Sequence, residues 1–125
     1  MNISFDQIWE KVIIPLEGKT VYTLDESNPN EILKVTNEGL TRDSESDSPP
    51  QTIPTEVFEA VYNYIMVNGT ISRKYINEKL PKRYSSIVCA VLAEAPNIGY
   101  ELRPIRLFKK YYDIDNQNHD TKQNI

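Results

Sequence analysis

The stretch that decides the fold occupies residues 70–99 and reads TISRKYINEKLPKRYSSIVCAVLAEAPNIG. Ser72 is a typical N-cap residue, and a helix is predicted after it over residues 73–80. Pro81 ends that helix, because proline cannot donate the backbone hydrogen bond that a helix interior needs. A further helix is predicted over residues 84–95, where a second proline ends it. The stretch therefore predicts two helices joined by a tight turn.

The flanking sequence extends this pair of helices on both sides. Before it, Pro54 begins an amphipathic helix that Asn68-Gly69 ends, and Thr70-Ile71 is long enough only for a short bridging strand. After it, apolar residues fall on even positions before Arg103-Pro104 and on odd positions beyond it. This change of parity predicts a turn or bulge between the two strands of a β-hairpin.

The first half of the chain has a different pattern. An S-x-x-Q capping box at residues 4–7 predicts a helix over residues 4–14. Short β-rich runs follow at residues 19–24, 32–36 and 40–42, and they predict a small antiparallel meander.

The predicted class is therefore α+β, divided into three parts. Residues 1–53 form a helix and a β-meander, and this part ends with the acidic Ser/Pro-rich run DSESDSPP, which is predicted to be a surface loop. Residues 54–112 form the helices and their hairpin. Residues 113–125 are predicted to be a polar tail.

Charge is divided sharply along the chain. Residues 1–69 carry four basic and twelve acidic side chains, a net charge of −8, whereas residues 70–110 carry nine basic and three acidic ones, a net charge of +6. Residues 111–125 contribute −2, which gives the overall charge of −4. Because local clusters rather than the average set an electrostatic field, the basic segment is typical of a surface that binds polyanions.

The segment from Thr55 to Lys110 resembles the winged helix-turn-helix superfamily. The residues that carry the resemblance are VFEAVYNYIMVNG, TIS, RKYINEKL, the turn PKR, YSSIVCAVLAEAP and the wing IGYELRPIRLFKK. More narrowly, the layout is similar to small prokaryotic modules of restriction-type nucleases and mobile-element proteins, which also place a strand like GKTVYTL and a meander before the helices. The resemblance implies a winged helix-turn-helix over residues 54–112, packed on the N-terminal helix and meander.

The resemblance also implies a set of DNA-binding residues. The third helix of the unit would be the recognition helix, with its first residues at base edges, while the second helix and the wing would contact the phosphate backbone or the minor groove. The implied base-reading residues are Lys82, Arg83, Tyr84, Ser85 and Ser86. The implied phosphate-contacting residues are Arg73, Lys74, Lys79, Lys82, Arg103 and Arg106.

One face of the predicted recognition helix carries only small residues. On a helical wheel, Ser86, Cys89, Ala90 and Ala93 lie opposite the apolar face that is expected to enter the core. Such a face lets a helix backbone approach another surface closely. That surface is either the floor of a major groove, the N-terminal helix or meander, or a second copy of the chain.

The sequence contains no catalytic or metal-binding constellation. Cys89 is the only cysteine and His119 the only histidine, so the four ligands of a Cys/His zinc site are missing. No glycine-rich phosphate loop, G-x-S-x-G or H-E-x-x-H motif occurs. We therefore expect no enzymatic activity, no metal and no cofactor.

No apolar run approaches the roughly 20 residues that span a bilayer, and residues 1–10 lack a signal-peptide pattern. We therefore expect a cytoplasmic protein without a membrane partner. The expected function is non-catalytic binding of double-stranded DNA, by a small regulator or a reader module of a restriction or mobile-element system, with a homodimer possible. The alternative is a protein-interaction module, such as a phage-type inhibitor whose acidic face occupies the DNA channel of a host defence nuclease.

Overall fold

The computed structural model describes residues 3–44, 48–80 and 84–110, and within them the chain has the predicted α+β class. The helices are α1 (Phe5–Ile8), which continues through a π-helical turn (Trp9–Ile13) and a 3-10 turn (Ile14–Leu16), α2 (Thr55–Asn68), α3 (Arg73–Lys79) and α4 (Ser85–Leu92). The strands are β1 (Thr20–Tyr22), β2 (Pro29–Thr36), β3 (Gly39–Ser44), β4 (Gln51–Pro54), β5 (Thr70–Ser72), β6 (Ile98–Glu101) and β7 (Arg106–Lys109). The predicted tail, residues 113–125, lies outside the described residues.

The N-terminal helix begins with the predicted capping box. The Ser4 hydroxyl accepts a hydrogen bond from the Gln7 backbone N–H (3.2 Å), and the Gln7 side chain accepts one from the Ser4 backbone N–H (3.1 Å). The sequence predicts one α-helix over residues 4–14, but the helix widens to π geometry after Ile8. Pro15 has no N–H with which to continue the α-helical ladder, so the last turns use other hydrogen-bond spacings.

The first sheet is an antiparallel meander with the strand order β1-β2-β3-β4. Val35, Leu40 and Ile53 pair across β2, β3 and β4 and lie in the core. The β2–β3 hairpin turns at Asn37-Glu38, close to the predicted reversal. Strand β4 is not predicted, because its four residues, Gln-Thr-Ile-Pro, are too few to show an alternating pattern and stand between prolines.

The second half has the element order that the sequence predicts: α2, β5, α3, α4 and the β6–β7 hairpin. Helix α2 ends at Gly69, whose φ of 91° lies in the left-handed region that glycine adopts without strain. Ser72 caps α3, because its hydroxyl accepts a hydrogen bond from the Tyr75 backbone N–H (3.0 Å). The second sheet has the order β5-β7-β6, so the short strand β5 pairs with the second strand of the hairpin.

The buried apolar residues of both halves form one continuous core within the described residues. Two polar contacts attach the N-terminal segment to this core. The Trp9 indole N–H donates to the Thr36 carbonyl oxygen (3.1 Å), and the Tyr62 hydroxyl donates to the Ile3 carbonyl oxygen. The same Tyr62 hydroxyl accepts a hydrogen bond from the Asn97 side chain (2.8 Å), so α2 links the start of the chain to the loop before β6.

Gly39 of β3 lies close against β4, because a Cβ at this position would be 2.6 Å from the Ile53 carbonyl oxygen. We expect Gly39→Ala to lower the free energy of unfolding by about 1–3 kcal/mol, as overpacking typically does. Glu38→Ala changes an exposed neighbouring side chain and is expected to alter it by less than about 0.5 kcal/mol. Urea denaturation of both variants measures their free energies of unfolding. Equal values would contradict the close contact between Gly39 and β4.

Candidate nucleic-acid interface

The β6–β7 hairpin presents several cations at exposed positions. Arg103 lies at its tip with a φ of 62°, Arg106 and Lys109 lie on β7, and Lys110 follows directly. All four side chains are exposed, and none forms an ion pair with another described residue. Glu101 pairs with Arg106 in the strand register but forms no ion pair with it. The positive charge of the hairpin is therefore not neutralised by the described part of the protein.

Helix α3 adds two exposed cations beside the hairpin. Its first residue is tied to the hairpin, because the Arg73 backbone N–H donates to the Ile105 carbonyl oxygen (3.0 Å). Lys74 and Lys79 are both exposed, and the Lys79 ammonium lies 5.6 Å from the centre of the Tyr75 ring, within the range of a cation–π interaction. The exposed positive surface thus extends from the hairpin onto α3.

Helix α4 is buried over most of its length. Residues 87–92, six of the eight residues of this helix, are at most 2% exposed, and Ser85 is 5% exposed. Its neighbours include α2, α3 and strand β1 of the meander. Cys89 and Ala90, on the face with small side chains, are as buried as the residues of the opposite face. Cys89 and Ala90 therefore pack against other parts of the same fold, which is one of the alternatives given above for this face.

The base-reading residues predicted at the start of α4 do not form an exposed surface in the described part of the chain. The side chain of Ser85, one of these residues, is buried. Tyr84 and Ser86 are half-buried. Lys82 and Arg83 lie outside the described residues.

A polar cleft of about 880 Å³ lies between the first sheet and the starts of α3 and α4. Arg42 and Gln51 line it from the sheet, and Arg73 and Ser86 line it from the two helices. The Arg73 guanidinium forms an ion pair of 3.0 Å with Asp25, in the loop between β1 and β2. It is the one ion pair between residues that the structure describes, and it joins the two halves of the chain across the cleft.

The cleft residues Asn30, Arg42 and Gln51 are not among the site residues that we predict from the sequence, although the strand pattern contains a signal for the first two. Asn30 follows the same alternation as the buried Ile32, and Arg42 the same alternation as the buried Leu40. A polar residue in phase with core residues of the same strand indicates an opening in the core.

Cys89 is not a reactive thiol in this fold. Burial raises its pKa from 9.0 to about 12, the positive charge of Arg73 lowers it to a smaller extent, and the negative charge of Asp25 raises it further. The side chain is 1% exposed, so the thiol is both protonated at neutral pH and shielded from reagents.

The raised pKa of Cys89 predicts a dependence of stability on pH. In the unfolded chain the thiol ionises near pH 9.0, whereas in the folded protein it stays protonated up to about pH 12. Its contribution to stability is therefore complete below pH 9 and decreases as the pH rises towards 12. Between pH 8 and 10.5, we expect the free energy of unfolding of the protein with Cys89 to fall by about 2 kcal/mol relative to that of the Cys89→Ala variant. Urea unfolding of both proteins at the two pH values measures this change, and an unchanged difference would contradict the burial of the thiol.

Comparison of the chain with protein-family models, curated proteins and solved structures finds no match. The resemblance to the winged helix-turn-helix superfamily therefore rests on the order and spacing of the elements alone. In the described part of the chain, no helix has both the length and the apolarity needed to cross a membrane. The same residues contain no group of three or more His, Cys, Asp or Glu side chains placed to hold a metal ion.

Proposed function

We propose that this protein binds double-stranded DNA, without catalysis, through phosphate contacts made by the β6–β7 hairpin and α3. The observation that supports the proposal is the group of exposed cations on the hairpin that lack carboxylate partners among the described residues. Like charges on one hairpin repel each other. A polyanion removes that repulsion and releases its own condensed counterions when the cations bind its phosphates.

The burial of α4 argues for a binding mode dominated by the phosphate backbone. A helix that reads base edges needs an exposed polar face, and residues 87–92 have none. Contacts with phosphates position a protein on the duplex but carry no direct sequence information. We therefore propose that the affinity depends strongly on salt and weakly on DNA sequence.

In a cell, such a protein would act in the cytoplasm as a small regulator or as the DNA-binding module of a restriction or mobile-element system. These roles follow from the winged-helix resemblance rather than from the hairpin itself. A homodimer would place two hairpins on one duplex and would double the number of phosphate contacts.

The test is a fluorescence-anisotropy titration of the chain with a mixed-sequence duplex at several salt concentrations. We expect the double variant Arg106→Gln/Lys109→Gln to bind more weakly and to reduce the slope of log K against log salt by about 1.8, since each phosphate contact contributes about 0.9. The matched control, Lys19→Gln/Lys34→Gln, removes the same charge from exposed positions of the meander and is expected to leave that slope unchanged.

Equal losses in the two double variants would show that only the net charge matters and would contradict an interface on the hairpin. Absence of binding at about 50 mM salt would overturn the DNA-binding proposal itself, because phosphate contacts are strongest at low ionic strength.

A second candidate function is binding of a basic protein surface, and one observation favours it. Five exposed carboxylates on the N-terminal helical segment, the β2–β3 turn and the start of α2 form no ion pair with a described residue. They are Asp6, Glu10, Glu38, Glu56 and Glu59. Two of them border a groove of about 370 Å³ that is also lined by Phe5 and Trp9. An acidic surface of this kind is complementary to the DNA channel of a nuclease, as in a phage-type inhibitor.

This second function predicts that substitutions in the acidic surface and in the hairpin have different effects on the capture of a basic protein. We expect the immobilised chain to retain a basic protein from a bacterial lysate, Asp6→Asn/Glu10→Gln to lose it, and Arg106→Gln/Lys109→Gln to keep it. Loss of the captured protein in both variants, or in neither, would contradict recognition by the acidic surface.

A further inference from the structure

The hairpin that carries the exposed cations also carries exposed apolar side chains. Five large apolar side chains are exposed in the described part of the chain, and two of them, Tyr100 and Leu102, lie on β6 and on the turn that follows it. Tyr100 is 49% exposed and Leu102 is 43% exposed. Phosphates offer a protein charge and hydrogen-bond acceptors but no apolar surface, so phosphate contacts leave these two side chains without a role.

Tyr100 lies on an edge strand and shares one face of the hairpin with a cation. Strand β6 is the outer strand in the order β5-β7-β6, so it pairs with β7 on one side only. Tyr100 lies opposite Leu107, and because residues two apart on a strand point to the same face, Tyr100 and Lys109 share a face. Glu101, the carboxylate of this hairpin, lies on the other face, opposite Arg106. The face with Tyr100 therefore has a cation and no carboxylate from the hairpin.

The backbone that carries Tyr100 is held firmly by its neighbours. The Phe108 ring packs directly on Gly99, where a Cβ would overlap the ring. At the base of the hairpin, the Lys110 backbone N–H donates to the Asn97 carbonyl oxygen (2.8 Å). A tyrosine side chain has only two torsions to immobilise, so a tyrosine on such a strand loses little conformational entropy when it binds. Tyr100 is therefore suited to act as an aromatic contact.

We propose that the hairpin binds unpaired nucleotides of DNA, with the Tyr100 ring stacked on a base and Arg103 and Lys109 at the flanking phosphates. This inference rests on the proposed DNA-binding function, because it uses cations of the same hairpin. In a continuous duplex the face of each base is covered by the next base pair, whereas an unpaired base offers its face to an aromatic side chain. Every base has such a face, so stacking adds affinity without sequence specificity. The ligand is either a single strand or the unpaired part of a junction between single strand and duplex.

The test is a fluorescence-anisotropy titration of the full chain with a single strand, an abasic strand of equal length, a duplex and a duplex with a single-stranded tail. We expect the native protein to bind the abasic strand about tenfold more weakly than the single strand, because the phosphates are kept and the bases are lost.

Variants of Tyr100 separate stacking from charge. We expect Tyr100→Ala to raise the Kd for the single strand about tenfold, and Tyr100→Phe to leave it unchanged because a phenyl ring also stacks. Neither variant should alter the Kd for the duplex or the slope of log K against log salt, since no cation is removed. The matched control is Tyr22→Ala, which removes a tyrosine that is 57% exposed on β1 and is expected to leave every Kd unchanged.

A loss of single-strand binding in Tyr100→Ala with an unchanged duplex Kd would support stacking, because damage to the fold would weaken both. Tighter binding of the tailed duplex than of the single strand would identify a junction as the ligand, and equal binding would identify the single strand. Equal Kd values of the native protein for the single strand and the abasic strand, or of native protein and Tyr100→Ala for the single strand, would overturn the proposal. Duplex binding that persists in that case would leave the phosphate-binding function intact, so the two proposals fail separately.

Discussion

The burial of α4 is the constraint on which the rest of the structure depends. Burying an apolar side chain of the size of Ile87, Val88, Val91 or Leu92 contributes about 1.5–3 kcal/mol, and all four are fully buried. This burial requires elements from both halves of the chain, because α2, α3 and β1 all contact α4. The meander is therefore part of the core of the helical unit, and its removal would expose an apolar helix to water.

The same constraint separates two electrostatic surfaces. Among the described residues, the hairpin and α3 carry exposed cations, including Arg106 and Lys74. Arg73 belongs to a different environment, in which Asp25 from the meander lies 3.0 Å from its guanidinium. Contact between the two halves thus leaves one group of cations open to solvent, whereas it places Arg73 at a cleft and in an ion pair.

Local signals in the sequence predict most of the elements. The capping box at Ser4, the N-cap at Ser72 and the parity change at Arg103-Pro104 each act over a few residues, and the structure has the corresponding helix starts and hairpin. Strand β4 and the π-helical turn are not predicted. The first depends on pairing with β3. The second replaces the α-helical hydrogen bonds after Ile8, in a segment whose capping box and apolar spacing are those of an ordinary α-helix.

The sequence by itself determines the α+β class, the order of the elements from α2 to β7 and the concentration of positive charge in residues 70–110, because these follow from short-range periodicity and composition. Only the tertiary structure decides which faces stay exposed. The small residues of α4 fit a DNA groove or a protein core equally well, and in the folded chain Cys89 and Ala90 lie in the core. Likewise, Arg42 and Arg73 are 31 positions apart in sequence. They line one cleft because a β-sheet and a helix start are packed face to face, a long-range arrangement that no local pattern encodes.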